Sequence, residues 1–276
     1  TDVAGARTAV EELVGKTRGD VVLLNDGDLT FAKVRLDEAS LAALTEQMDS
    51  LADPLARAVT WTALWDMTRD AELSPLTYLE IVLKGLSSEK NPAAMSALLG
   101  QLSVATSSYL APELREEGNS RLVTGLARLL KAADPGSDQQ LMLAKALIGA
   151  SSSPAAIELI RGWLNDEEVP EGLRVDTAVR WAITFALAKN GVIGADEIEQ
   201  ERLDHDNTSA GAEQAAGARA ALPEAGEKAR AWALATTDPS VPNETHRQIC
   251  AGIWRFGQEE LMGAYVDAYL SVLGDI

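Results

Sequence analysis

The 276-residue sequence predicts a mainly α fold, an irregular α-solenoid of stacked helical hairpins behind a short N-terminal β-hairpin stub. Three observations carry this prediction. Asp53-Pro54, Ser74-Pro75, Asn91-Pro92 and Ser153-Pro154 each place an N-cap side chain before a proline at the first helical position, where the missing N–H costs nothing. The connections between helical patterns are short, roughly two to six residues, which makes successive helices antiparallel neighbours. Alanine occurs 45 times, and small side chains let helices pack closely.

The first 37 residues read differently from the rest. Val21-Val22-Leu23-Leu24 is a β-branched apolar run, and Asn25-Asp26-Gly27-Asp28 is a turn signal. From Thr30 to Asp37 the chain alternates, with Ala32, Val34 and Leu36 on one side and Lys33, Arg35 and Asp37 on the other. A hairpin is expected here, and because two strands alone are marginal in water it must lean on other structure. Helices are expected from residue 40 onward, over about 40–50, 54–70, 75–87, 92–107, 111–117, 120–133, 138–150, 154–165, 171–189, 195–203, 208–221, 223–236, 243–255 and 258–273. Val169-Pro170-Glu171 and Leu222-Pro223-Glu224 mark starts with acid in the first turn, and Asn243 reads as another N-cap. No fixed period links these starts, so the stack is closer to HEAT or armadillo arrays than to a strict repeat.

Charge narrows the function classes. With 24 Lys+Arg against 42 Asp+Glu the net charge is −18, and no basic run exceeds two residues. Nucleic acid is therefore not an expected partner, since phosphate backbones need clustered cations. A single cysteine, Cys250, allows no intramolecular disulfide and points to a reducing, cytoplasmic setting. Apolar runs such as Val21–Leu24 fall far short of the roughly 20 residues of a membrane span, so no membrane association is expected. The chain opens on Thr1, without a leader pattern, and reads as a piece of something longer.

Motifs for independent chemistry are missing from the sequence. His205 and His246 stand 41 residues apart, with no His-Glu-x-x-His, no Walker loop, no Gly-x-Gly-x-x-Gly and no Gly-x-Ser-x-Gly. Asn165-Asp166-Glu167-Glu168 reads as a solvated loop. The most distinctive constellation is Arg57, Trp61, Leu64 and Trp65, at i, i+4, i+7 and i+8 of one helix. It can hold a peptide carboxylate beside an aromatic wall, or be a core face that the Arg57 stem covers. Arg180-Trp181 repeats the pairing, although adjacent helical residues point about 100° apart. Arg57, Trp61 and Arg180 are the candidate peptide-binding residues, and Asp206 or Thr208 is expected to cap a helix. Cys250 is expected to be a small buried group.

Several stretches together resemble the C-terminal helical domain of the zinc aminopeptidases of the aminopeptidase N type, relatives of the endoplasmic-reticulum antigen-trimming enzymes. They are Leu24 to Asp37, with Phe31 where that pattern commonly has Tyr; Arg57 to Leu73; and a series through Gly172, Leu173, Asp176, Arg180, Trp181, Leu187, Ala188 and Gly191 to Asp206, Thr208, Gly211, Pro223, Lys228 and Trp232. The resemblance covers essentially the whole chain. It implies that residues 1–37 end a preceding β-sandwich domain and that residues 38–276 form a helical domain capping a catalytic chamber. It also implies peptide substrates, whose far ends this domain helps to hold, and zinc in a catalytic domain upstream. No catalytic residue, metal ligand or cofactor is then expected in this chain; its partners are the upstream catalytic and β-sandwich domains of the same polypeptide. The acidic surface would favour the free amino end of a peptide. The other reading is an independent α-solenoid scaffold that binds another protein.

Overall fold

The computed structural model describes residues 5–273, which hold fourteen α-helices and no strand. Thr1 and the first residues of the expected stub lie outside the described residues. The fold is mainly α, as the sequence predicts. Contacts divide the chain into two compact units, Thr1–Glu89 and Lys90–Ile276.

The first unit contains α1 (Glu38–Gln47), α2 (Pro54–Arg69) and α3 (Pro75–Gly85). Asp37 caps α1 by accepting from the Ser40 amide, and Asp53 and Ser74 cap α2 and α3 ahead of their prolines. Leu44, Met48, Leu64, Tyr78, Leu79, Ile81, Val82 and Leu86 are fully buried among them. Gly85 admits the indole of Trp61: a Cβ there would lie 2.5 Å from the ring.

The expected hairpin does not form. Its turn is present, with Asn25, Gly27 and Asp28 all in the left-handed region, and the alternation survives in part, since Val34 and Leu36 are buried. Lys33 and Arg35 pair with Asp70 beyond α2, and Arg35 also with Glu72. The strand pairing is what is missing, and side chains replace it. Asn25 accepts from the Thr30 amide at 2.9 Å and donates to the Thr30 carbonyl at 2.8 Å, while the Val22 amide donates to Ser40 Oγ at 2.9 Å. Three backbone groups that a partner strand could use are thereby taken, and the segment lies without a ladder.

The second unit begins with α4 (Pro92–Val104), which widens into one π turn at Ala105–Tyr109. It continues with α5 (Arg115–Ala132), α6 (Asp138–Ala150), α7 (Pro154–Trp163), α8 (Thr177–Lys189), α9 (Ala195–His205) and α10 (Ser209–Ala221). It closes with α11 (Ala225–Thr236), α12 (Asn243–Ile253), α13 (Glu259–Met262) and α14 (Ala264–Val272). Helices α4, α6, α8, α10 and α12 pack successively in a row, and the odd-numbered helices α5 to α11 pack against this row as hairpin partners. The tightest step is α10 on α12, where a Cβ on Gly252 would lie 2.2 Å from the Gly217 carbonyl oxygen.

Boundaries move where local chemistry overrides the pattern. Residues 111–117 and 120–133 are not two helices: after a 3-10 turn at Pro112–Leu114, α5 runs unbroken through Gly118 and Asn119. Helix α8 starts at Thr177 rather than 171, capped by Asp176, because Gly172 is left-handed and lies so close to Pro135 and Gly136 that a Cβ would come 2.4 Å from the Gly136 nitrogen. Asn243 is the first residue of α12 rather than its cap. The last expected helix is split between α13 and α14.

Candidate functional site

A cleft of about 500 Å³ opens in the second unit over α4, α6 and α8. Small residues make the space: Ser96, Gly100 and Ser103 on α4, Ala146 and Gly149 on α6, Ala182 and Ala186 on α8. A Cβ added at Gly100 or Gly149 would meet nothing within 4 Å. The floor is apolar, supplied by the buried Leu122 and Leu126 of α5, and Phe185 stands in the wall.

The charged groups around this apolar floor are all cationic. Lys145, Lys189 and Arg255 all line the cleft, and no carboxylate pairs with any of them among the described residues. In a chain of net charge −18 an unneutralised cluster of cations is a departure from the surface average. Lys189, at the end of α8, donates through Nζ to the Gly149 carbonyl at the end of α6, where the helix dipole favours a cation. Burial, together with the nearby Arg255 charge, brings its amine from the usual lysine range down to about 8. The guanidinium of Arg255 lies 5.1 Å from the centre of the Phe185 ring, its Nε donates to the Gly252 carbonyl at 3.2 Å, and burial lowers its pKa.

Behind the cleft the ends of three helices converge. Lys228, fully buried, donates at 2.8 Å to the carbonyls of Ala220 on α10 and Ile253 on α12, and burial lowers its amine to about 8. Gln258 is 6% exposed and donates through Nε2, at 3.0 Å each, to the carbonyls of Lys189 on α8 and Ala221 on α10. These side chains satisfy carbonyls that the helix ends leave open.

The residues singled out in the sequence lie elsewhere. Arg57 and Trp61 share a partner in the first unit, Glu89, which is 4% exposed. Trp61 Nε1 donates to its carboxylate at 3.3 Å and Arg57 Nε lies 3.5 Å from it, while Arg57 also donates to the carbonyls of Leu51 and Ala52 at 2.8 and 2.9 Å. Trp65 packs on Tyr78, ring centres 5.4 Å apart. In the second unit Arg180 grips Glu201 through two hydrogen bonds of 2.6 and 2.8 Å and also donates to the Leu164 carbonyl. Trp181 points away from it, as the 100° step requires, and donates at 2.9 Å to Asp206. Thr208, not Asp206, caps α10; hydrogen bonds from Thr208 and then Trp181 hold the Asp206 carboxyl below its ordinary value.

The described residues do not fit a zinc site. His205 faces Glu201, whose carboxylate is already engaged by Arg180, and His246 contacts the Ala235 carbonyl at 2.9 Å. No group of three or more His, Cys, Asp or Glu converges among the described residues. Cys250 is exposed, contrary to expectation, on α12 one turn beyond His246. No helix among the described residues is long and apolar enough to cross a membrane.

The helical class, with an open cation-lined cleft and no metal-ligating group among the described residues, matches a family in sequence as well. Residues 21–276 match the family described as ERAP1-like C-terminal domain, and the chain belongs to it. Over 275 residues it is 42% identical to an aminopeptidase N of Streptomyces lividans, a match that takes in the whole chain and 32% of that protein. The chain thus spans about a third of the length of the relative it matches, and it is a C-terminal domain of an aminopeptidase N-like protein.

Sequence reasoning passed over Lys189, Arg255 and Lys145. Each stands alone in the sequence, and only the packing of α6, α8 and the turn after α12 gathers them. One signal was available: Lys189-Asn190-Gly191 and Trp254-Arg255-Phe256-Gly257 both place a cation at a helix end before a glycine.

Proposed function

We propose that this chain is the non-catalytic helical domain of a zinc-dependent aminopeptidase, that it closes over the peptide chamber, and that the cleft over α4, α6 and α8 receives the carboxylate end of a peptide. Residues 1–37 then close a preceding β-sandwich domain, and the zinc and its ligands belong to a catalytic domain of the same polypeptide. The observation that carries the ligand reading is the set of cations on an apolar floor without carboxylate partners. Such a site discriminates a free carboxylate from a neutral amide because only the first engages the charges of Lys189 and Arg255. The family match and the identity to an aminopeptidase N along the whole chain support the parent activity.

The pure 276-residue chain is expected to bind no stoichiometric zinc and to release no amino acid from a fluorogenic aminoacyl amide. It is expected to bind a labelled peptide with a free C-terminus roughly tenfold more tightly than the same peptide amidated, the scale of one charged hydrogen bond. Metal-dependent hydrolysis by the chain would refute the non-catalytic assignment. Equal binding of the acid and the amide would refute the carboxylate cleft.

A further inference from the structure

The two cations most deeply set in the cleft belong to different elements. Lys189 ends α8, and Arg255 lies in the turn after α12, where the Gln258 amide donates to the Arg255 carbonyl at 3.2 Å. That turn depends on Gly257 at φ +85, a left-handed position. Its last residue, Gln258, points back into the protein and uses both N–H groups of its amide, one on the carbonyl of Lys189 and one on the carbonyl of Ala221. The acceptors on both sides fix the amide orientation, since an oxygen facing two carbonyls would be repelled. Oε1 of Gln258 is buried and without a hydrogen-bond partner. The local fold retains that unsatisfied atom in order to make the two donor bonds.

A single side chain therefore ties the main chain of one cleft cation to the turn that carries the other. Arg255 has a second restraint in the Phe185 ring and Lys189 a second one in the Gly149 carbonyl, but each of these holds one cation by itself. We propose that Gln258 is a positioning residue that sets the spacing between Lys189 and Arg255 and, through it, the preference of the cleft for a carboxylate. The proposal rests on the cleft reading given above for its ligand. It touches no ligand itself; a carboxylate needs both cations within hydrogen-bond reach at once, and small displacements of either break the geometry.

The test is Gln258→Met in the 276-residue chain, which keeps the length of the side chain and removes both donors. The ratio of affinities for a free-acid and an amidated peptide is expected to fall roughly tenfold, towards unity, while affinity for the amidated peptide is unchanged. The amine of Lys189, followed through carbon-13 methyl groups attached by reductive methylation, is expected to titrate at a shifted pH in the variant, because its distance to Arg255 has changed. A merely structural role predicts a lowered melting temperature with both readouts unmoved, and that result would overturn the proposal. Should Gln258→Met fail to fold, Gln258→Asn keeps the amide but is one methylene shorter and reaches only one carbonyl; it is expected to lose part of the preference, and wild-type behaviour there would overturn the proposal equally. If the wild-type chain shows no acid preference while Gln258→Met still shifts the Lys189 titration, the positioning role stands and the carboxylate cleft falls.

Discussion

Two cation-bearing regions, the Arg57–Trp61 cluster of the first unit and the Lys189–Arg255 cleft of the second, combine the same chemistry to opposite ends. In the first, a guanidinium and an indole converge on the buried Glu89: Trp61 donates to the carboxylate, Arg57 pairs with it as a counter-charge at 3.5 Å, and the hydrogen bonds of Arg57 go to two carbonyls. In the second, a guanidinium over a phenyl ring and an ammonium border open space with no carboxylate between them. An arginine beside an aromatic ring is thus uninformative until its anion is known. Where the fold supplies the anion the cluster holds helices together, and where it does not the cations border the open cleft on which the proposed carboxylate site rests.

The two regions should differ most at Glu89. Glu89→Leu leaves Arg57 half-buried without its counter-charge and Trp61 Nε1 without an acceptor, and is expected to destabilise the chain by about 3–5 kcal/mol in urea unfolding. Lys189→Met, the corresponding change in the cleft, should not lower the unfolding midpoint while abolishing the acid preference. If both substitutions cost the same stability, the distinction between the two regions is wrong.

Glycines sharpen the contrast at a smaller scale. Gly85→Ala sets a methyl 2.5 Å from the Trp61 ring and should cost about 1–3 kcal/mol by overpacking. Gly100→Ala, with nothing within 4 Å, should instead stabilise α4 by about 0.5–1 kcal/mol through its helix propensity, as thermal unfolding of the two variants would reveal.

The last effect is one of pH, and it carries opposite signs for binding and folding. Lys189 must be protonated to hold a carboxylate, so the acid preference should weaken as pH rises through about 8. Lys189 and Lys228 both titrate lower in the folded chain than the ordinary value of 10.5. The unfolded chain then binds more protons between about 8 and 10.5, so their contribution to stability is complete above that window and is lost as pH falls through about 8. Comparing the wild type with Lys189→Met and Lys228→Met at pH 7 and pH 9, by peptide titration and by urea unfolding, would separate the two trends.

Much of the fold was legible because it rests on local signals. All four N-cap and proline pairs start helices in the structure, with the side chains of Asp53, Ser74, Asn91 and Ser153 accepting from amides two or three residues on. Failures occurred where a non-local contact decided the outcome. The alternation of residues 30–37 is real at Val34 and Leu36, but whether two extended segments form a ladder depends on what their amides meet, and here the Thr30 amide meets Asn25 and the Val22 amide meets Ser40. Cys250 reads as apolar beside Ile249, yet the helix turns it outward while burying Ile249. The cleft was illegible for a related reason: its cations are separated by tens of residues, and what distinguishes them is the absence of a carboxylate, which no spacing encodes.

At the crossing of α10 and α12 the Gly217 oxygen occupies the place that any side chain on residue 252 would need. These two positions therefore make up one unit of variation. A methyl group at 252 can enter only if α12 withdraws, and a withdrawal large enough for one would ease the next change at 217, so substitutions there should be strongly non-additive. Because the Gly252 carbonyl also receives the Arg255 guanidinium, drift at this crossing would reach the cleft without altering any residue that lines it.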